Sequence, residues 1–139
     1  MKKDYVDYVD FEEVRYNLKD NPQKLTILIE NRQKLKWREY GIHNHGELLN
    51  MRNKADDDLW DVVIPAYSYR INPGTKHNIG YIYGVFWIGN GNHKIFCSLK
   101  DLENDPNKIN SDIEKYINIY RKYLNKRNID YYWIPAAYL

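Results

Sequence analysis

Two β-rich runs joined by a turn occupy residues 79–99, which read IGYIYGVFWIGNGNHKIFCSL. The central GNGN is typical of a β-hairpin turn, so the runs on either side are predicted to pair as antiparallel strands. Gly80 and Gly84 lie inside the first run, and glycines inside a strand often mark sharp bends, as at the corners of a small barrel. This segment therefore predicts a strongly bent sheet.

Further β-rich runs lie on both sides of this hairpin. They are short, rich in β-branched and aromatic residues, and bounded by turn residues. The predicted strands are residues 25–29, 35–40, 62–64, 79–88, 94–99 and 129–134. Residues 41–53 are polar and receive no assignment. Within them His43, His45 and Glu47 recur at steps of two, which we interpret as a polar loop rather than a transition-metal site.

Two helices are predicted, one near each end of the chain. Residues 10–18 begin with an aspartate cap and place apolar residues on one face. Ser111-Asp112-Ile113-Glu114 is a capping box, and the apolar residues that follow recur at helical spacing: Ile113, Ile117, Tyr120 and Leu124. Strands at hairpin spacing followed by a late helix predict a mainly β (α+β) domain with a helix packed on a small antiparallel sheet or barrel.

The composition is that of a globular protein. Its 139 residues predict a single domain over residues 1–139, and 43% hydrophobic residues are too many for a disordered chain. The 21 Lys and Arg nearly balance the 19 Asp and Glu, so the positive excess of a nucleic-acid coat is missing. No apolar run approaches the roughly 20 residues of a membrane span, and the first residues do not resemble a secretion signal. A lone cysteine, Cys97, interpreted as a core residue, suits a reducing, cytoplasmic location.

Four aspartates stand just before the predicted strand 62–64: Asp56, Asp57, Asp58 and Asp61. Carboxylates so close together repel one another, which is costly on a rigid element unless a cation compensates. Mg²⁺ prefers such oxygen ligands. In an extended chain Asp56 and Asp58 point the same way, and Asp61 joins them only if the chain bends near Leu59-Trp60. The alternative interpretation is a solvated acidic loop.

Positive side chains that could bind phosphate are spread along the chain. Lys36 and Arg38 share a face of the predicted strand 35–40, Lys94 begins the strand after the hairpin, and Arg121 follows Tyr120 on the late helix. Arginine binds phosphate oxygens at two points, whereas lysine acts as a point charge. Each is also an ordinary surface residue, so its relevance depends on whether the fold brings these groups together.

Taken in order, these segments resemble the soluble inorganic pyrophosphatases of family I. Leu35-Lys36-Trp37-Arg38-Glu39 stands in the place of the family's Lys-Tyr-Glu strand motif. Residues 56–65 stand in the place of its Asp-Gly-Asp-Pro-x-Asp cluster, with three aspartates in step and with Asp57 and Leu59 replacing its glycine and proline. The other matching segments are Asn72-Pro73-Gly74, Gly84-Val85, Lys94 and Tyr120-Arg121.

The resemblance implies both a fold and an activity. The fold is a five-stranded, OB-like antiparallel barrel with a short N-terminal helix and a C-terminal helix packed on it. The activity is Mg²⁺-dependent hydrolysis of inorganic pyrophosphate to phosphate. The implied metal ligands are Asp56, Asp58 and Asp61, of which Asp58 and Asp61 are catalytic and Asp58 orients the attacking water. The implied phosphate ligands are Lys36, Arg38, Lys94, Tyr120 and Arg121.

A non-catalytic OB-like barrel is the alternative. Barrels of this type bind single-stranded nucleic acid by stacking bases on aromatic side chains. The candidates are Trp37, Tyr67, Tyr69, Tyr81, Tyr83 and Trp87. The balanced charge argues against this role, and so do the aspartates, which repel phosphate when no cation is bound. A structural or assembly role is also open, and an aromatic content of 15% is compatible with a homo-oligomer.

Overall fold

A computed structural model describes residues 12, 14–20, 22–30, 44–53, 57–109 and 113–139. The helices are α1, residues 14–20, and α2, Ile113–Lys126. The strands are β1 (Thr26–Ile29), β2 (His45–Asn53), β3 (Asp58–Val63), β4 (Lys76–Ile88), β5 (Lys94–Leu99) and β6 (Tyr131–Pro135). No helix in these ranges is both long enough and apolar enough to cross a membrane.

Five of the strands close into a barrel. Neighbouring strands follow the order β1-β2-β3-β5-β4, β4 pairs back onto β1, and β6 extends the sheet from β4. This arrangement confirms the predicted small β-barrel with a helix near each end. The pairing differs from the antiparallel expectation at one place, because β3 and β5 are parallel. They are parallel because the chain runs back through β4 between them, and β5 then returns in the direction of β3.

β4 is the strand that closes the barrel. Its first residues, 76–78, pair with β1, and its last residues, 84–88, lie between β5 and β6. The register between β4 and β5 shifts twice before residue 84, in the region where the glycines predicted a bend. A Cβ on Gly84 would lie 2.5 Å from the Ile134 carbonyl oxygen, so glycine is required there for β6 to approach β4.

β2 occupies most of the segment that received no assignment. The loop interpretation is wrong for residues 45–47, all of which pair with β3, and two of which, Gly46 and Glu47, also pair with β1. The strand is hard to recognise because its register with β3 shifts between Glu47 and Arg52, and this irregularity breaks the alternation of buried and exposed side chains. The strand predicted at 35–40 lies outside the described residues.

The core is formed by β-strand side chains and by the inner faces of the helices. All six residues of β5 are buried, including Cys97, and burial raises the pKa of its thiol. The predicted inner face of α2 is buried, and Val14 and Leu18 of α1 are buried as well. Each large apolar side chain that is fully buried stabilises the fold by about 1.5–3 kcal/mol. The helices therefore hold the barrel through the faces that the sequence predicted.

Candidate active site

Asp61 of β3 and Lys94 of β5 face each other across the parallel strand pair. They are register partners, and Lys94 Nζ donates to Asp61 Oδ2 at 2.5 Å. Lys94 Nζ also donates to Asn92 Oδ1 at 2.7 Å, from the turn between β4 and β5. The Lys94 side chain is 7% exposed, whereas that of Asp61 is 31% exposed. The pair therefore places a fixed ammonium group beneath a carboxylate that reaches solvent.

Two glutamates bring further carboxyl groups to this pair. Glu47 of β2 lies opposite Asp61 in the β2–β3 register, and Glu30 directly follows β1. The pKa of Glu30 is raised to about 7, first by burial, then by a side-chain hydrogen bond with Glu47 and by the negative charges of Glu47 and Asp61, while Lys94 opposes the shift. We call these five side chains the carboxylate–lysine cluster: Glu30, Glu47, Asp61, Asn92 and Lys94.

A buried histidine packs directly before Lys94 in the chain. The ring of His93 stacks on Trp87 with centroids 3.8 Å apart and on Trp60 at 5.3 Å. Its Nδ1 accepts a hydrogen bond from the Ile88 N–H at 2.8 Å. Burial and then the charge of Lys94 lower the pKa of His93 to about 3. His93 is therefore an uncharged packing residue at neutral pH, and it anchors the start of β5.

Tyr120 and Arg121, adjacent in sequence, occupy different environments on α2. The Tyr120 ring is 2% exposed and packs edge-on against Phe86 with centroids 4.8 Å apart. Burial raises the pKa of Tyr120, and Tyr123 and Asp61 raise it further, so its hydroxyl lies within the electrostatic reach of the cluster. Arg121 stays on the helix surface, where Nη1 donates to Asn118 Oδ1 at 3.0 Å and lies 4.0 Å from Glu114.

Asp58 and Asp61 are the two members of the predicted aspartate triplet that lie within the described residues. They are three residues apart in β3, and strand alternation places their side chains on opposite faces. The register between β2 and β3 shifts opposite residues 59–61. Asp58 is exposed, and its Oδ1 accepts a hydrogen bond from the Leu59 N–H at 2.8 Å. Asp57 adopts a left-handed conformation (φ 55°) and is also exposed. These two aspartates match the solvated-loop alternative.

Three of the predicted site residues cannot be placed. Asp56, Lys36 and Arg38 lie outside the described residues. Of the remaining predictions, Asp61 and Lys94 are in contact. Tyr120 is buried in the aromatic core, and Asp58 and Arg121 lie on the surface. The aromatic set proposed for nucleic-acid stacking is also reduced, because Tyr67 and Trp87 are 1% and 5% exposed and belong to the core.

Sequence reasoning missed three members of the cluster. Glu47 was interpreted as part of a loop, because β2 was not recognised. Glu30 and Asn92 carried a weaker signal, since one directly follows a strand and the other stands two residues before Lys94. Had β2 been paired with β1 in the sequence, Glu47 would have fallen beside Glu30. Only a correct strand order brings either of them to Asp61.

The donor chemistry of the cluster is compatible with Mg²⁺. Its possible ligands are the oxygens of Glu30, Glu47, Asp61 and Asn92, and hard divalent cations prefer oxygen. The neighbouring carboxyl groups of Glu47 and Asp61 help to raise the pKa of Glu30, as expected for carboxyl groups that lie close together. Within the described residues, no three His, Cys, Asp or Glu side chains form a group arranged for metal binding. Mg²⁺ does not require such a cage, because it often binds through one or two carboxylates, with waters and substrate phosphates.

Comparison with known proteins shows a likeness in structure only. The chain matches no protein-family model and no curated protein sequence. Among solved structures it is similar to an inorganic phosphatase from Anaplasma phagocytophilum, with a TM-score of 0.56 and 14% sequence identity over 86% of this chain and 88% of that one. At this identity the likeness concerns architecture: the chain has the fold of that inorganic phosphatase.

Proposed function

We propose that the protein hydrolyses inorganic pyrophosphate, or a related phosphoanhydride, in a Mg²⁺-dependent reaction at the carboxylate–lysine cluster. The main support is the contact between Asp61 and Lys94, at a carboxylate-rich site of a barrel that is similar to an inorganic phosphatase. The sequence resemblance to family I pyrophosphatases points to the same chemistry, because Asp61 and Lys94 are two of the residues that it matches.

The chain's own residues have distinct tasks in this proposal. Lys94 binds a phosphate oxygen through its ammonium group, and Asp61 with Asn92 holds that group in place. Glu47 and Asp61 supply carboxylate oxygens on neighbouring strands, and Glu30 positions Glu47 through their shared hydrogen bond. Bound Mg²⁺ would supply an activated water and neutralise charge on the phosphate groups.

The metal ligands proposed here differ from those that the family resemblance implies. Asp61 is retained, but Asp58 is replaced by Glu47, because Asp58 points away from Asp61 while Glu47 lies opposite it. Tyr120 is also excluded as a phosphate ligand, because it is buried in the core against Phe86. Arg121 is excluded from the set, because its guanidinium is engaged on the helix surface.

The first prediction compares two identical substitutions on opposite faces of β3. Asp61→Asn removes a charge from the cluster and is expected to lower kcat/KM for Mg²⁺-dependent phosphate release from pyrophosphate by about 100-fold, the scale of losing one electrostatic contact in an active site. Asp58→Asn makes the same change at an exposed position. It is expected to leave kcat/KM within about threefold of the parent value, because substitutions of exposed side chains usually have small effects.

Two results would contradict this proposal. One is that the parent protein releases no phosphate with Mg²⁺. The other is that Asp58→Asn lowers kcat/KM as much as Asp61→Asn does, which would mean that the active site lies at the acidic segment around Asp58. Circular dichroism of both variants separates loss of activity from loss of folding.

A further inference from the structure

Among the described residues, β6 forms one edge of the sheet. In the part of the chain that the structure describes, the sheet ends at β6, which pairs with β4 through Gly84–Ile88 and Tyr131–Pro135. Natural proteins usually protect such edges with short strands, charged residues, prolines, bulges or a covering element. β6 is five residues long and reads Tyr-Tyr-Trp-Ile-Pro, without a charge, and its register with β4 is regular. Pro135 protects only the C-terminal end of the strand, so residues 131–133 are the part that can pair with another strand.

The register shows which backbone groups point outward. The Gly89 N–H donates to the Asp130 carbonyl at 2.7 Å, and Trp87 is the register partner of Tyr132. Backbone groups of successive residues point to alternate sides of a strand. Residues 130, 132 and 134 therefore bond to β4, whereas Tyr131 and Trp133 direct their N–H and C=O groups away from the sheet. Pro135 also faces outward, but it has no N–H to donate.

We propose that this edge pairs with the same edge of a second copy of the chain, as an antiparallel two-fold dimer centred on Tyr132. In this register Tyr131 of each copy exchanges two backbone hydrogen bonds with Trp133 of the other. In each copy, the N–H and C=O groups of Tyr131 and Trp133 are then all hydrogen-bonded. Pro135 takes no part in the pairing. A register centred on Trp133 would make the same number of hydrogen bonds, but it would place the Tyr131 carbonyl opposite Pro135, which has no N–H to donate.

The side chains favour a second copy over an unrelated strand. Tyr131 and Trp133 pack against Phe86 on one face, with ring centroids 5.7 and 4.7 Å apart. Tyr132 therefore lies on the opposite face, where it is 64% exposed. In the proposed register Tyr132 of one copy lies opposite Tyr132 of the other. Aromatic pairs directly across antiparallel strands are stabilising. The edge thus has the self-complementarity that an isologous two-fold contact requires.

Disulfide trapping tests the register directly. In the proposed dimer the two Tyr132 Cβ atoms form a directly opposed pair about 4.5–5.5 Å apart, close to the spacing that a disulfide needs. Tyr132→Cys, with oxidised glutathione as electron acceptor, is expected to give a covalent dimer. Tyr81→Cys is the matched control, because Tyr81 is similarly exposed at 61% but lies outside the residues of β4 that pair with β6. Cys97 is buried and does not interfere.

A positive charge introduced at residue 132 tests whether the chain forms the dimer without a disulfide. Tyr132→Lys places two ammonium groups opposite each other and is expected to raise the dimer dissociation constant at least about fivefold in sedimentation velocity. Tyr81→Lys should leave it unchanged, and circular dichroism should show both variants folded. A parent that stays monomeric throughout a concentration series would overturn the proposal. So would equal trapping of the two cysteine variants, or equal association of the two lysine variants.

Discussion

At the scale of single residues, Glu30 has a carboxyl group whose pKa lies close to neutral pH. Its pKa is raised from 4.5 to about 7, chiefly by burial. The folded state therefore binds more protons than the unfolded state between these values, and the free energy of unfolding falls as pH rises through that window. His93 has the opposite effect on stability. Its pKa is lowered from 6.5 to about 3, so the unfolded state binds more protons and the free energy of unfolding falls as pH falls below 6.5.

Glu30→Gln isolates the contribution of this carboxyl group. The difference in unfolding free energy between variant and parent is expected to change with pH between about 4.5 and 7, in favour of the variant at the upper end. Glu30 is only partly buried, so solvent screening reduces the effect to the order of 1 kcal/mol. Urea titrations at several pH values measure it. A constant difference between Glu30→Gln and parent would contradict the crowded-carboxylate interpretation.

At the scale of elements, the approach of β6 to β4 depends on the absence of a side chain at residue 84. Gly84→Ala puts a methyl group 2.5 Å from the Ile134 carbonyl and 2.6 Å from the Trp133 ring. Overpacking of this kind typically costs about 1–3 kcal/mol, and chemical denaturation measures it.

Gly74→Ala is the contrasting control. A Cβ on Gly74 meets nothing within 4 Å, but its φ of 82° is unfavourable for alanine. Its cost is therefore conformational, about 1 kcal/mol, and β6 should stay in place. Gly84→Ala should in addition weaken the packing of Trp133, which near-ultraviolet circular dichroism can detect. An unchanged aromatic spectrum for Gly84→Ala would mean that β6 is not held at the distance described.

At the scale of the whole molecule, cation binding is coupled to folding stability. A ligand that binds only the folded state stabilises it by mass action, by about 2.7 kcal/mol at 100 times its dissociation constant. Mg²⁺ is therefore expected to raise the melting temperature of the parent and of Asp58→Asn, but not that of Asp61→Asn. Calorimetry with and without Mg²⁺ checks this independently of catalysis. An equal rise in both variants would mean that the ion binds elsewhere.

Helices and strands with a regular spacing of buried side chains could be predicted from the sequence, whereas the irregular strand β2 could not. The face of α2 with Ile117 and Tyr120 followed from helical spacing, and the hairpin of β4 and β5 followed from its turn residues. β2 was not recognised because a register shift interrupts its alternation. Local pattern reasoning depends on a constant period, so a bulge hides a strand even when both of its neighbours are regular.

The candidate site was predictable only in part, for a different reason. Asp61 and Lys94 were both recognised as charged residues beside strands, but they are 33 residues apart in sequence. The sequence by itself determined the elements and their buried faces, because those depend on contacts among residues near in the chain. Only the tertiary structure decided that Asp61 meets Lys94 and Glu47 while Asp58 faces solvent, because strand order and register are set by burying the whole core at once.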